Sequence, residues 1–91
     1  MPATRDDHRV IIDGAEVAVV GETGLIEPTW RLLIDGAEAA SVEASGKFSL
    51  SGELPNGSSV VARIYQHMFG STEVVVEHDG QHVVRFTGFV L

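Results

Sequence analysis

Apolar and polar residues alternate with a period of two along most of this chain, and Gly or Pro breaks the alternation roughly every ten residues. That is the pattern of short strands joined by tight turns. Asp13-Gly14, Asp35-Gly36 and Asp79-Gly80 each lie between apolar runs, and Asp-Gly accepts the positive φ angles of a two-residue type I′ hairpin turn. These turns are 22 and then 44 residues apart, and Asn56-Gly57 falls within one residue of the vacant place between them. The pentapeptide Ile-Asp-Gly-Ala-Glu recurs verbatim at Ile12–Glu16 and Ile34–Glu38. A repeat of this length holds one hairpin, so the chain reads as four hairpins and eight strands.

Register follows by counting outward from each turn. Around Asp13-Gly14 one face collects Val10, Ile12, Ala15, Val17 and Val19, and the other collects Arg9, Ile11, Glu16 and Ala18. Around Asp35-Gly36 the core face carries Trp30, Leu32, Ile34, Ala37 and Ala39, with Arg31, Leu33, Glu38 and Ala40 opposite. Arg9 and Glu16, like Arg31 and Glu38, come within diagonal reach on the outer face. In the third hairpin a two-residue loop would turn Arg63 and Tyr65 toward Phe48. A three-residue loop, Pro55-Asn56-Gly57, instead pairs Leu54 with Ser58, Gly52 with Val60, Leu50 with Ala62 and Phe48 with Ile64, with Gly57 in the left-handed region. In the last strand a bulge at Gly88 would bring Val84, Phe86, Phe89 and Leu91 to one side.

The expected fold is therefore all-β: eight short antiparallel strands in a hairpin-repeat meander, closing as a barrel or folding as a two-sheet sandwich. Residues 1–8 are expected to form a flexible polar segment and residues 9–91 a single β domain. Strands of this length leave an interior just wide enough for side chains, so a large ligand cavity is not expected.

Composition narrows the function classes. Thirteen acidic residues against six basic ones give a net charge of −7, which disfavours nucleic acid and anionic membrane surfaces as partners. No apolar run is long enough for a spanning helix, and the N-terminal residues do not read as a signal peptide. There is no cysteine, which points to a reducing compartment and a cytoplasmic location.

No residue pattern carries a reaction, so no catalytic residue, cofactor site or metal site is assigned and the chain is expected not to be an enzyme. His78 and His82 have ligand-like spacing, yet a hairpin at Asp79-Gly80 places them on opposite faces, with His82 beside Glu77 as an exposed pair. The serines lie in strands and turns without the elbow or partners of a nucleophile. Gly21-Glu22-Thr23-Gly24 lacks the helix and lysine of a phosphate loop. Trp30 is expected in the core. The segment Trp30 to Gly36, with its Trp and Asp-Gly, resembles hairpins of the Fas apoptotic inhibitory molecule family, over a length that transfers no function.

What remains is an asymmetry between the two ends. All four hairpin turns share one end, while the connections between hairpins share the other and place Leu25, Ile26, His67, Met68 and Phe69 in or beside loops. Large apolar side chains there either plug the core or form a contact surface. These five residues are the candidate partner-binding set. The expected function is a non-catalytic protein-protein interaction domain that binds a protein partner or a second copy of itself, its sharper form being a small acidic inhibitor or immunity-type protein. The alternative is a sugar or small-molecule binding β domain stacking its ligand on Trp30, Tyr65 or His67.

Overall fold

In the computed structural model, which describes residues 4–91, eight strands follow one another through hairpins and short loops: β1 (Arg5–Ile12), β2 (Ala15–Glu22), β3 (Thr29–Ile34), β4 (Ala37–Glu43), β5 (Gly46–Glu53), β6 (Ser59–Gln66), β7 (Ser71–His78) and β8 (Gln81–Phe89). They form two antiparallel sheets, ordered β1-β2-β3-β4 and β5-β6-β7-β8. The sheets stack as a sandwich, β1 against β8 and β4 against β5, and neither seam is hydrogen-bonded into a barrel.

The turns follow the expected chemistry. Asp13, Asp35 and Asp79 have φ near +50° and the glycines after them near +80°. Aspartate has a second task at two of these turns. The Asp35 carboxylate accepts the Glu16 N–H at 2.9 Å and that of Asp79 accepts the Ser59 N–H at 2.9 Å, so each turn is tied to the neighbouring hairpin. The third turn is the three-residue Pro55-Asn56-Gly57 loop, with Leu54 bonded to Ser58, Gly52 opposite Val60 and Gly57 at φ 86°. Gly57→Val should therefore cost about 1–2 kcal/mol by forcing a β-branched residue into the left-handed region. Thermal melting checks this, and an unchanged midpoint would contradict it.

Two bulges correct the expected faces. Leu32 pairs with Ala40 and Leu33 with Glu38, leaving Ala39 unpaired, while Val76 pairs with Val84 and Glu77 with His82, leaving Val83 unpaired. Each bulged residue is the third after its Asp-Gly turn. The reason lies in packing. Without the slip, Ser41 would face Trp30 and Arg85 would face Val74; with it, Val42 and Phe86 take those places. Ala40 and Val42 thus pack on the core rather than outside it. There is no bulge at Gly88, which pairs with Thr72; Val90 is buried, and Phe89 and Leu91 stay exposed.

Val17, Val19, Trp30 and Leu32 from one sheet meet Val60, Ile64, Val74 and Val76 from the other. Trp30 is fully buried, edge-on to Phe48 with ring centroids 6.3 Å apart, and its Nε1 donates to Gln66 Oε1 at 3.2 Å. Its indole lies against Gly21, where a Cβ would come within 2.7 Å of the ring. On the outer face of the first sheet Ala18 and Val20 are also buried, flanked by Arg9 and Arg31. The arginine stems shield them while the heads form ion pairs, Arg9 with Asp7 and Glu16, and Arg31 with Glu22 and Glu38. Arg9, hydrogen-bonded to Asp7, holds that carboxyl below its usual range, with Arg5 adding to the effect.

β1 starts at Arg5, four residues before the domain was expected to begin. Residues 1–3 of the expected flexible segment lie outside the described residues. Asp6 and His8 fix the strand's start: Asp6 accepts from Thr72 Oγ1 at 2.6 Å and from the Phe89 N–H at 3.1 Å, and His8 stacks on Phe86 with centroids 4.8 Å apart. A polar stretch is thus built into the seam between β1 and β8.

Candidate functional site

The end opposite the hairpin turns is built from the 23–28 loop, the 67–70 loop and both termini of the described chain. Hydrogen bonds knit it together. Thr4 bonds to Thr23 and to the Leu91 N–H, Val90 donates to the Gly70 carbonyl at 2.7 Å, and Gln66 Nε2 donates to the Val90 carbonyl at 2.6 Å. Beneath them Gln66 also accepts from Trp30, so the core is already closed under the loops.

That closure rules out a plug of the core by the loop side chains. Leu25 and Ile26 are 105 % and 96 % exposed, Met68 and Phe69 are 81 % and 86 % exposed, and Phe89 and Leu91 are exposed beside them. None of the four loop side chains fills the core. Single exposed apolar residues are ordinary, but six large ones gathered at one end of a small acidic domain are not.

The 67–70 loop carries backbone strain as well. Gly70 donates to the His67 carbonyl at 3.1 Å, and His67 donates to the Ser71 carbonyl at 2.8 Å, which closes a tight connection. Within it Phe69 has φ 76°, a left-handed conformation that turns reserve for Gly or Asn. Glycine is already used at the next position, because a Cβ on Gly70 would meet the Phe89 ring and the Val90 carbonyl at 2.9 Å. Phe69 makes no core contact that offsets its strain.

His67 is half-buried, stacked on Tyr65 with centroids 3.9 Å apart and the planes 18° from parallel, while Lys47 Nζ lies 5.0 Å from the centre of the Tyr65 ring. It supports the loop rather than projecting from it. Next to this stack a shallow groove of about 380 Å³ runs over the outer face of the second sheet, lined by Lys47, Ser49, Arg63, Tyr65, Glu73 and Val75. The sequence pattern had not singled it out, because its lining residues sit on alternate positions of β5, β6 and β7 and meet only when the strands pair.

At the turn end the structure brings together residues that the sequence left apart. His78 Nε2 lies 2.9 Å from Ser58 Oγ, 3.5 Å from Asp13 Oδ2 and 3.7 Å from Asp79 Oδ2. This is not a hydrolytic triad. Serine and carboxylates crowd the same ring nitrogen, whereas a triad sets them on opposite nitrogens, and the Ser58 hydroxyl donates to Asn56 Oδ1 at 2.5 Å. His78 therefore donates to Ser58 within its own sheet, and the turns of the two sheets are tied by Asn56, whose side chain donates to Asp13 at 3.2 Å. His78 and His82 fall on opposite faces of the last hairpin, with His82 across from Glu77 as expected. The expected His82–Glu77 contact is replaced by an ion pair from Glu77 to Arg63 at 2.8 Å.

No family model matches this chain, and no curated protein or solved structure matches it either.

Proposed function

We propose that this domain is a non-catalytic protein-protein interaction module whose contact surface is the loop end, centred on Met68 and Phe69 with Leu25 and Ile26. The observation that carries this reading is Phe69, an aromatic held at positive φ and displayed to solvent above a core that closes without it. Strain of that kind persists where it serves a purpose, and exposed Met and Phe are the side chains from which interface anchors are made. His67 supports the loop from Tyr65. The absence of cysteine favours a cytoplasmic setting, and the net charge of −7 favours a protein partner over nucleic acid. That charge is also the warrant for the sharper reading, a small acidic inhibitor or immunity-type protein.

A second reading, binding of a sugar or other small molecule, is supported by the groove beside Tyr65 and His67. Trp30 drops out of it, being fully buried.

Phe69→Gly separates display from folding. Relief of the left-handed strain should raise stability by about 0.5–1 kcal/mol, while loss of the ring should weaken capture of protein from a soluble extract by the immobilised chain. A variant that melts lower than the parent, or that captures equally well, would contradict the proposal.

A further inference from the structure

We propose that Asn56-Gly57 is a self-modifying site, where the folded turn converts asparagine to aspartate or isoaspartate and so unties the turns of the two sheets. Asn56 is the only asparagine in the chain, and it precedes a glycine in an exposed three-residue loop. A Cβ at Gly57 would meet nothing within 4 Å, so the backbone there is open to attack and to solvent base. The Asn56 amide is held ready. Its Oδ1 accepts the Ser58 N–H at 2.9 Å and the Ser58 hydroxyl at 2.5 Å. Two donors on one carbonyl oxygen draw electrons from Cγ and lie where negative charge gathers when a nucleophile adds. The adjoining Gly57 nitrogen is that nucleophile, kept within reach by the chain itself. Its N–H donates to the Leu54 carbonyl at 2.8 Å, so it reacts as this single turn bond opens.

The Gly57 nitrogen gives its proton to solvent base and bonds to Asn56 Cγ; the Cγ–Nδ2 bond then breaks, and the amide nitrogen takes a proton from water and leaves as ammonia. Water opens the resulting cyclic imide. Cleavage between Cγ and the Gly57 nitrogen leaves aspartate, while cleavage at the main-chain carbonyl leaves isoaspartate, which adds a methylene to the backbone of the turn. Either product loses the Nδ2 donor. Among the described residues that donor makes the only hydrogen bond between turns of different sheets, to Asp13 Oδ2 at 3.2 Å, and a carboxylate in its place faces the Asp13 carboxylate instead. The Asp-Gly turns escape the same fate. The Asp35 and Asp79 side chains accept an N–H from the neighbouring hairpin, and an ionised carboxylate resists nucleophilic addition.

Ageing the whole folded chain in mildly alkaline buffer tests this, with released ammonia assayed and peptides mapped by mass spectrometry. Ammonia should appear together with aspartate and isoaspartate at position 56, and residues 13, 35 and 79 should stay unchanged. Ser58→Ala should slow the conversion several-fold in the folded chain and leave it unchanged in urea, because the two donors converge on Oδ1 only in the folded turn. Ser58→Thr, which keeps the hydroxyl, should hold the parent rate, and thermal melts confirm that each variant is folded. Asn56→Asp made directly should melt below the parent, and Asp13→Asn added to it should recover part of the loss. The inference is overturned if Asn56 stays intact in the folded chain over a time in which the denatured chain converts. A folded Ser58→Ala variant that converts at the parent rate, or an Asn56→Asp variant that melts with the parent, overturns it equally.

Discussion

Replacing Met68 and Phe69 together with serine should abolish association while leaving the fold intact. Both side chains are exposed, and in the proposed interface each is an anchor of the type that contributes about 2 kcal/mol or more. Losing both should weaken binding by a factor of about a thousand. Neither side chain fills the core, so the change in stability should stay within about 0.5 kcal/mol, the range of ordinary surface substitutions. Pull-down and light scattering read the first effect, and thermal melting reads the second. If the double variant unfolds, the pair belongs to the core and the loop end is a plug.

The opposite pattern is expected at Trp30, whose indole is shut between Gly21, Phe48 and Gln66. Trp30→Ala should cost about 3–5 kcal/mol, from lost burial and from the cavity left behind. A small domain has a total stability of about 5–15 kcal/mol and this one lacks disulfides, so the variant should be marginally folded or unfolded at room temperature. Trp30→Phe fills part of the space but strands the Gln66 carbonyl, at a cost of about 1–3 kcal/mol. Denaturant unfolding of the three proteins gives the order. A cost below about 1 kcal/mol for Trp30→Ala would contradict the packing described, since even Ile→Val in a core commonly reaches that size.

Most of the fold was legible because turn chemistry and strand alternation are local. Asp-Gly demands positive φ, and once the turn is fixed every cross-strand partner follows, as from Ile12 against Ala15 to Val10 against Val17. The three-residue loop at Gly57 was legible for the same reason, since the wrong loop length would have buried Arg63. The two bulges were missed, yet the signal was present. An unbulged ladder seats Ser41 across from Trp30 and Arg85 across from Val74, and the conflict asks for one extra residue. The start of β1 was hidden by its polarity. Asp6 becomes an inward residue only because Thr72 and Phe89 of a distant hairpin supply its hydrogen bonds.

Of the candidate surface, the exposed residues could be read from their place in loops, but the strain at Phe69 could not. It arises because Gly70 is committed to passing Phe89 and Val90, a contact between residues about twenty positions apart. The cluster of Ser58, His78 and Asp13 was likewise beyond sequence, since turns of different sheets meet only when the sandwich closes.

The claim that the loop end is the working end is tested most directly by amide spectra of the isotope-labelled chain. These are recorded with and without the protein retained on an immobilised copy, whether that protein is the chain itself or another. Shifts and broadening should gather at residues 24–28, 67–70 and 89–91 and spare the hairpin turns. Perturbations centred on Asp13, Asp35, Asn56 and Asp79 instead, with the loop end unmoved, would contradict it.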